Sequence, residues 1–186
     1  MHEALADFAA WAWARHHNEW SWYVRPLFLI PYCWFAWRRS LAGLIVTVLA
    51  LATSMFWFPA PAQPSALAAE VLAAERAYLL APWTPWKVAV ALLVPLGLTA
   101  LALAFWRRSL AWGLVVLNAL PLAKIAWSFV VFSRQGALHH LVPAVLGLLA
   151  CNSAVAGALW WRARFRAGMA ADRPAPPAPP PAGRAR

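Results

Sequence analysis

Four stretches of the chain, 41–58, 88–106, 110–132 and 141–161, are apolar over nearly their whole length. A hydrocarbon layer about 30 Å thick requires about 20 such residues per crossing, and inside it the backbone must satisfy its own hydrogen bonds. Stretches of this kind read as transmembrane helices. A fifth, 20–37, is broken by Arg25, whose long stem can carry its guanidinium to an interface. Composition agrees with lipid as the solvent: 63% of the 186 residues are hydrophobic and only 12% are charged. The expected fold class is therefore all-α, a polytopic membrane helix bundle of about five transmembrane helices.

The hexamer Trp-Arg-Arg-Ser-Leu-Ala occurs twice, from Trp37 and from Trp106, each time between two apolar runs. Pro26 and Pro95 stand equally far upstream of the two copies, and similar runs open downstream at Gly43 and Gly113. The unit reads as a hairpin: one span, a tight turn, a second span. A unit with an even number of spans keeps its orientation, so two parallel hairpin repeats plus one closing helix are expected. Each hexamer offers a tryptophan at headgroup level, two arginines for lipid phosphates and a serine to cap the next helix. A duplicated anion or substrate site is the competing reading of the same residues.

Basic residues collect on the cytoplasmic side of short loops, which sets the orientation. Arg38, Arg39, Arg107, Arg108, Arg162, Arg164 and Arg166, with Arg173, Arg184 and Arg186, all fall on one side of the expected spans. The expectation is a multi-pass protein with its N-terminus outside and its C-terminus cytoplasmic. The alanine, arginine and proline bias fits a GC-rich bacterial genome and hence the bacterial inner membrane. No cleavable signal peptide is expected, because Glu3 and Asp7 stand where a basic n-region and an apolar core would be.

In this organisation 1–19 is an outer interfacial segment, 20–58 the first transmembrane hairpin, and 59–84 an outer loop with a short interfacial helix. The second hairpin follows at 85–132, the fifth transmembrane helix at 133–161, and a basic, Pro-rich, disordered cytoplasmic tail at 162–186. In the outer loop Ser65 is placed to cap a helix through Leu80, with Leu67, Val71, Ala74 and Tyr78 on one stripe and Glu70 and Glu75 flanking it. Trp20, Trp22, Trp57, Trp83, Trp86 and Trp127 mark an outer aromatic belt, and Trp37, Trp106, Trp112, Trp160 and Trp161 an inner one.

The formal charge of +10 is scattered beside apolar spans rather than gathered into a solvated patch, so no nucleic-acid partner is expected. There is no phosphate-binding loop, nucleophile elbow or nucleotide fingerprint, hence no catalytic assignment and no cofactor. No Asp or Glu lies inside a span, which weakens proton-coupled transport. The candidate site is an outer polar cluster of His16, His17, Arg25, Glu75, Arg76, Lys124, His139 and His140. Imidazole and carboxylate suit transition metals, but adjacent helical residues diverge by about 100°, so no metal is assigned. For Lys124 three readings stand: snorkelling past Trp127, pairing with Glu70 or Glu75, or a substrate or proton role. Asn118, Asn152, Ser153, Thr53 and Ser54 read as hydrogen-bonding glue between helices. Cys33 and Cys151 lie within spans and read as small apolar residues, not a disulfide.

The stretch from Arg15 to Pro26 ("RHHNEWSWYVRP"), the "FPAP" turn at Phe58 and the "AER" at Ala74 resemble a family of small prokaryotic integral membrane proteins. That family has an Arg-His, Asn, Trp-Ser, Trp, Arg pattern before the first span, then a Phe-Pro turn and a Glu-Arg pair after the second. The resemblance brings no activity. It implies that Arg15, His16, Asn18, Trp20, Ser21, Trp22 and Arg25 act together with Glu75 and Arg76. The functional expectation is a non-enzymatic accessory or structural membrane subunit. The alternatives are a small-solute or ion binding or transport protein with an outer-facing pocket, and then a membrane-embedded metal enzyme. Expected partners are the lipid bilayer and, within it, another membrane protein or a second copy of the chain.

Overall fold

The computed structural model describes the backbone of residues 2–131 and 134–171, with no side-chain description for 2, 131, 134–136, 139, 140 and 167–171. The expected tail beyond 171 lies outside the described residues. The described chain is helical with no strand. Its helices are α1 (His2–His16), α2 (Trp20–Val24), α3 (Leu29–Trp37), α4 (Leu41–Thr53), α5 (Ala66–Leu80), α6 (Pro85–Trp106), α7 (Leu110–Val131) and α8 (Arg134–Ala171). Short 3-10 turns, Arg25–Phe28 and Ser54–Phe56, follow α2 and α4. The chain divides into two compact units, Met1–Asn152 and Ser153–Arg186.

Three helical stretches are long and apolar enough to cross a membrane: Pro85–Trp106, Leu110–Val130 and Leu141–Arg166. Their most apolar windows are only 11 to 17% buried within the protein, and Leu93, Val94 and Leu96 are each more than 60% exposed. Water would not tolerate so much contiguous apolar surface, whereas lipid does. The other two expected spans are shorter or interrupted. The first is split into α2, a 3-10 turn and α3, because Pro26 near the start of the turn has no N–H to give. The second is a shorter apolar helix, Leu41–Phe56, whose last residues tighten into the 3-10 turn.

A further correction concerns the C-terminal boundary. Residues 162–171, expected to begin an unstructured tail, continue α8, since alanine and arginine are among the best helix formers. There Arg164 stacks over the Trp160 ring at 4.4 Å. Pro95, Pro121 and Pro143 sit inside α6, α7 and α8 without ending them.

Both hexamers fold into the same turn. In the first, Arg39 N–H donates to the Ala36 carbonyl and Ser40 N–H to Phe35; in the second, Arg108 donates to Phe105 and Ser109 to Ala104. This is the Schellman pattern, whose penultimate position takes a left-handed backbone. Arg39 (φ 55°) and Arg108 (φ 61°) occupy it, and they are the non-glycine residues with positive φ in the described chain. A residue with a Cβ pays about 1 kcal/mol there. Cross-contacts offset the cost: Arg39 Nε donates to the Trp106 carbonyl at 3.1 Å, and the Arg108 guanidinium lies 5.0 Å over the Trp37 ring. Each hexamer's left-handed arginine thus reaches the other's tryptophan. Ser40 then caps α4 by accepting from Gly43 N–H, and the Ser109 hydroxyl accepts from Trp112 N–H.

Around these turns α3 packs on α4, α6 on α7, and α3 on α6. Glycine opens both hairpins: a Cβ at Gly43 would collide with the Phe35 ring, and one at Gly113 with Phe105. Between the hairpins the Tyr32 hydroxyl donates to the Leu98 carbonyl at 3.0 Å. Asn118 and Asn152 exchange two amide hydrogen bonds at 3.2 and 3.0 Å, joining α7 to α8. Gly147 lets α8 press against the Pro26 ring. Thr53 and Ser54, by contrast, bond back to their own helix at Leu49 and Leu51. Cys33 and Cys151 are both buried and free.

Candidate functional site

At the end of the bundle opposite the hexamer turns, α1, α2 and α5 form a cap. Its core is Trp22, Ala68, Val71 and Leu72, with Trp13 packed against it. The buried stripe of α5 is thus Ala68, Val71 and Leu72, rotated from the expected Leu67, Val71, Ala74 and Tyr78. The same stripe continues at helical spacing to Glu75, which therefore faces inward rather than flanking. The reason is Trp22, which is only 6% exposed and claims the small surface of Ala68 instead of standing in a lipid belt.

Three polar ties fasten α5 along its length. Ser65 caps its first turn by accepting from Ala68 N–H, and the same hydroxyl donates to Glu19 Oε1 at 2.6 Å. Midway, Glu75 Oε2 lies 3.6 Å from His16 Nε2. At the far end Lys87, only 5% exposed, donates its Nζ to the carbonyls of Tyr78, Leu79 and Ala81. The Lys87 ammonium also sits 4.5 Å over the Trp83 ring. A cation on the last carbonyls of a helix satisfies groups that have no partner within it and opposes the negative end of its dipole.

The outer polar residues expected from sequence separate into two groups. His16, Arg25, Glu75 and Lys124 come together. His16 is 4% exposed, held edge-on between Trp13 at 5.7 Å and Trp22 at 6.2 Å. Arg25 Nη2 lies 3.2 Å from His16 Nδ1. Because arginine only donates, Nδ1 is assigned as the acceptor, which places a ring proton on Nε2 toward Glu75. The side-chain contact with His16 holds the Glu75 carboxyl below the usual carboxylate range, and the nearby charges of Lys124 and Arg25 act in the same direction against partial burial. Lys124 is close enough to act on Glu75 through space. Its side chain is also exposed, so pairing and snorkelling both remain open among its three readings.

His17 and Arg76 do not join this group. The His17 ring turns back to its own helix, with Nδ1 2.9 Å from the Trp13 carbonyl, and Arg76 is exposed. The His139 and His140 side chains lie outside the described residues.

The segments that carry the sequence resemblance also meet. Arg15 Nη1 donates to the Phe58 carbonyl at 3.3 Å and Asn18 Nδ2 to the Pro59 carbonyl at 3.0 Å, so the N-terminal motif clasps the Phe-Pro turn. Ser21 is fully buried, and among the described residues its hydroxyl has no hydrogen-bond partner. Sequence reasoning missed Lys87 and the inward face of Glu75. Among the arginines expected at lipid, Arg38 lies over the Trp34 ring at 5.9 Å, and Arg107, Arg162 and Arg166 are exposed. Among the described residues no group of three His, Cys, Asp or Glu is placed to hold a metal ion. No family model, curated protein or solved structure matches the chain.

Proposed function

We propose that this chain is a non-enzymatic accessory or structural subunit of the bacterial inner membrane. It crosses five times, as two parallel hairpins and a closing helix, with the capped end outside and the hexamer turns in the cytosol. The segments 20–37 and 41–56 are shorter or more interrupted than a full crossing, and tilt of their neighbours with local thinning of the bilayer accommodates such a mismatch. The orientation rests on the arginine bias.

One observation carries the functional part: among the described residues the buried polar side chains, Ser21 apart, pair with one another or with backbone. Arg25 meets His16 and His16 meets Glu75, Lys87 closes three carbonyls, and Asn118 pairs with Asn152. Such pairing specifies an architecture and leaves little polar capacity for turnover. Purification in mild detergent tests the reading. A stoichiometric membrane partner is expected, and recovery of a lone monomer would contradict it.

A second reading has its own support. Arg25 and Lys124 bring two cations to the one carboxylate of Glu75, and that surplus suits a small anion. Anion flux in proteoliposomes, abolished by Lys124→Gln, would establish this alternative, and equal flux with and without the protein would dismiss it.

A further inference from the structure

We infer that the groove between α1 and α5 holds one anionic phospholipid, with its phosphate on Arg76 and an acyl chain along the alanines of α5. The inference rests on the reading that lipid surrounds the chain. It starts from the second face of α5. Ala69, Ala73, Ala77 and Leu80 recur at helical spacing on the side turned away from the Trp22 core, and Arg76 stands among them. With Trp13 and His17 of α1 they line a groove of about 490 Å³. Three alanines in register give a smooth floor, which suits a straight hydrocarbon chain better than a branched side chain.

The charge in this groove is unusual for the cap. Arg15 is spent on the Phe58 carbonyl and the Trp11 ring, Arg25 on His16, and Lys87 on three carbonyls. Arg76 is exposed, and among the described residues it has no hydrogen bond, ion pair or ring contact. A guanidinium beside an apolar floor is best matched by a phosphate whose own tail is apolar. His17 adds a second polar group at the rim. Its Nδ1 is held at the Trp13 carbonyl, so Nε2 remains for a headgroup.

Continuity with the apolar surface selects a lipid over a dissolved phosphate. The stripe ends at Leu80, 76% exposed, and runs on to Trp83 and Trp86, 58% and 70% exposed. Tryptophans of that kind mark the headgroup level, where a lipid would place its phosphate near Arg76, one acyl chain along Ala73 and Ala69 and the other past Leu80. A free anion would gain nothing from the alanine floor.

Native mass spectrometry of the full chain in detergent, titrated with phosphatidylglycerol, phosphatidylcholine or inorganic phosphate, tests this. Arg76→Gln should weaken retention of one phosphatidylglycerol about fivefold, the factor corresponding to the ~1 kcal/mol of one arginine at a lipid surface. Ala73→Leu should displace the same lipid by filling the floor while leaving the charge in place. Phosphatidylcholine, whose choline offsets its phosphate charge, should be retained less than phosphatidylglycerol and respond less to Arg76→Gln, and inorganic phosphate should not compete. Equal phosphatidylglycerol retention by the wild type and both variants would overturn the inference. Competition by inorganic phosphate would also overturn it, by assigning the site to a soluble anion. Should Arg76→Gln fail to fold, the Ala73→Leu result decides alone. Sedimentation of the variants with membranes is unaffected in either case, so a failure here is separable from a failure of the membrane reading.

Discussion

The hexamer turns and the cap are held together by opposite means. Each turn is specified by six consecutive residues: a Schellman closure, a left-handed arginine and a capping serine, repeated in the same order. The cap draws on residues from His16 to Lys87; two of its ties join distant parts of the chain, Glu19 to Ser65 and His16 to Glu75, while Lys87 joins the start of α6 to the end of α5. Local geometry therefore survives loss of a partner, whereas the cap depends on every element arriving. The turns should tolerate single substitutions that the cap does not.

The largest effect is expected at Lys87. Lys87→Met keeps the apolar stem but strands three carbonyls at the end of α5, and should cost about 3 kcal/mol of stability. Chemical unfolding in detergent measures the loss, and limited proteolysis should show cleavage moving into α5. A loss no greater than that of a hexamer substitution would break the contrast. Next comes Arg39. Arg39→Gly removes both the left-handed penalty and the bond to Trp106, while Arg39→Ala removes only the bond. The alanine variant should be the less stable by about 1 kcal/mol. Equal stabilities would mean that the turn is not strained.

Asn118 and Asn152 test a tie between long helices. A double-mutant cycle to leucine should give a coupling of about 0.6 kcal/mol, as is usual for such pairs in lipid. The smallest effect concerns acid. Glu75 has a lowered pKa when folded, so its contribution is complete above the unfolded value of about 4.3 and is lost as pH falls through the lower folded value. The cap should loosen below about pH 4. Glu75→Gln should flatten that dependence, as read by hydrogen exchange in α5.

What the sequence makes legible follows the same divide. Three long apolar helices and the serine caps follow from spacing and residue type alone, whereas of the residues expected to bond between helices the structure selects Asn118 and Asn152 and turns Thr53 and Ser54 back on their own helix. The face of α5 does not, because alanine and leucine cover every side of it and only Trp22, from another element, selects one. Lys87 left a trace that can be read in retrospect. It stands in the first turn of α6, capped by Thr84, where the helix dipole disfavours a cation. A lysine so placed is explained by the carboxyl end of a different helix. The break at Pro26 was visible as a residue, yet its consequence depends on Gly147 admitting the ring. The assembly of His16, Arg25, Glu75 and Lys124 was legible only as a set on one side of the bilayer, since their mutual distances depend on how α1 and α5 fold over the helix ends.

All of this depends on lipid being the solvent for the flanks of α6, α7 and α8. Membranes from cells expressing the full chain, washed with alkaline carbonate and sedimented, measure that directly. The protein should remain entirely in the pellet and be released only by detergent. Recovery in the carbonate supernatant would contradict the account.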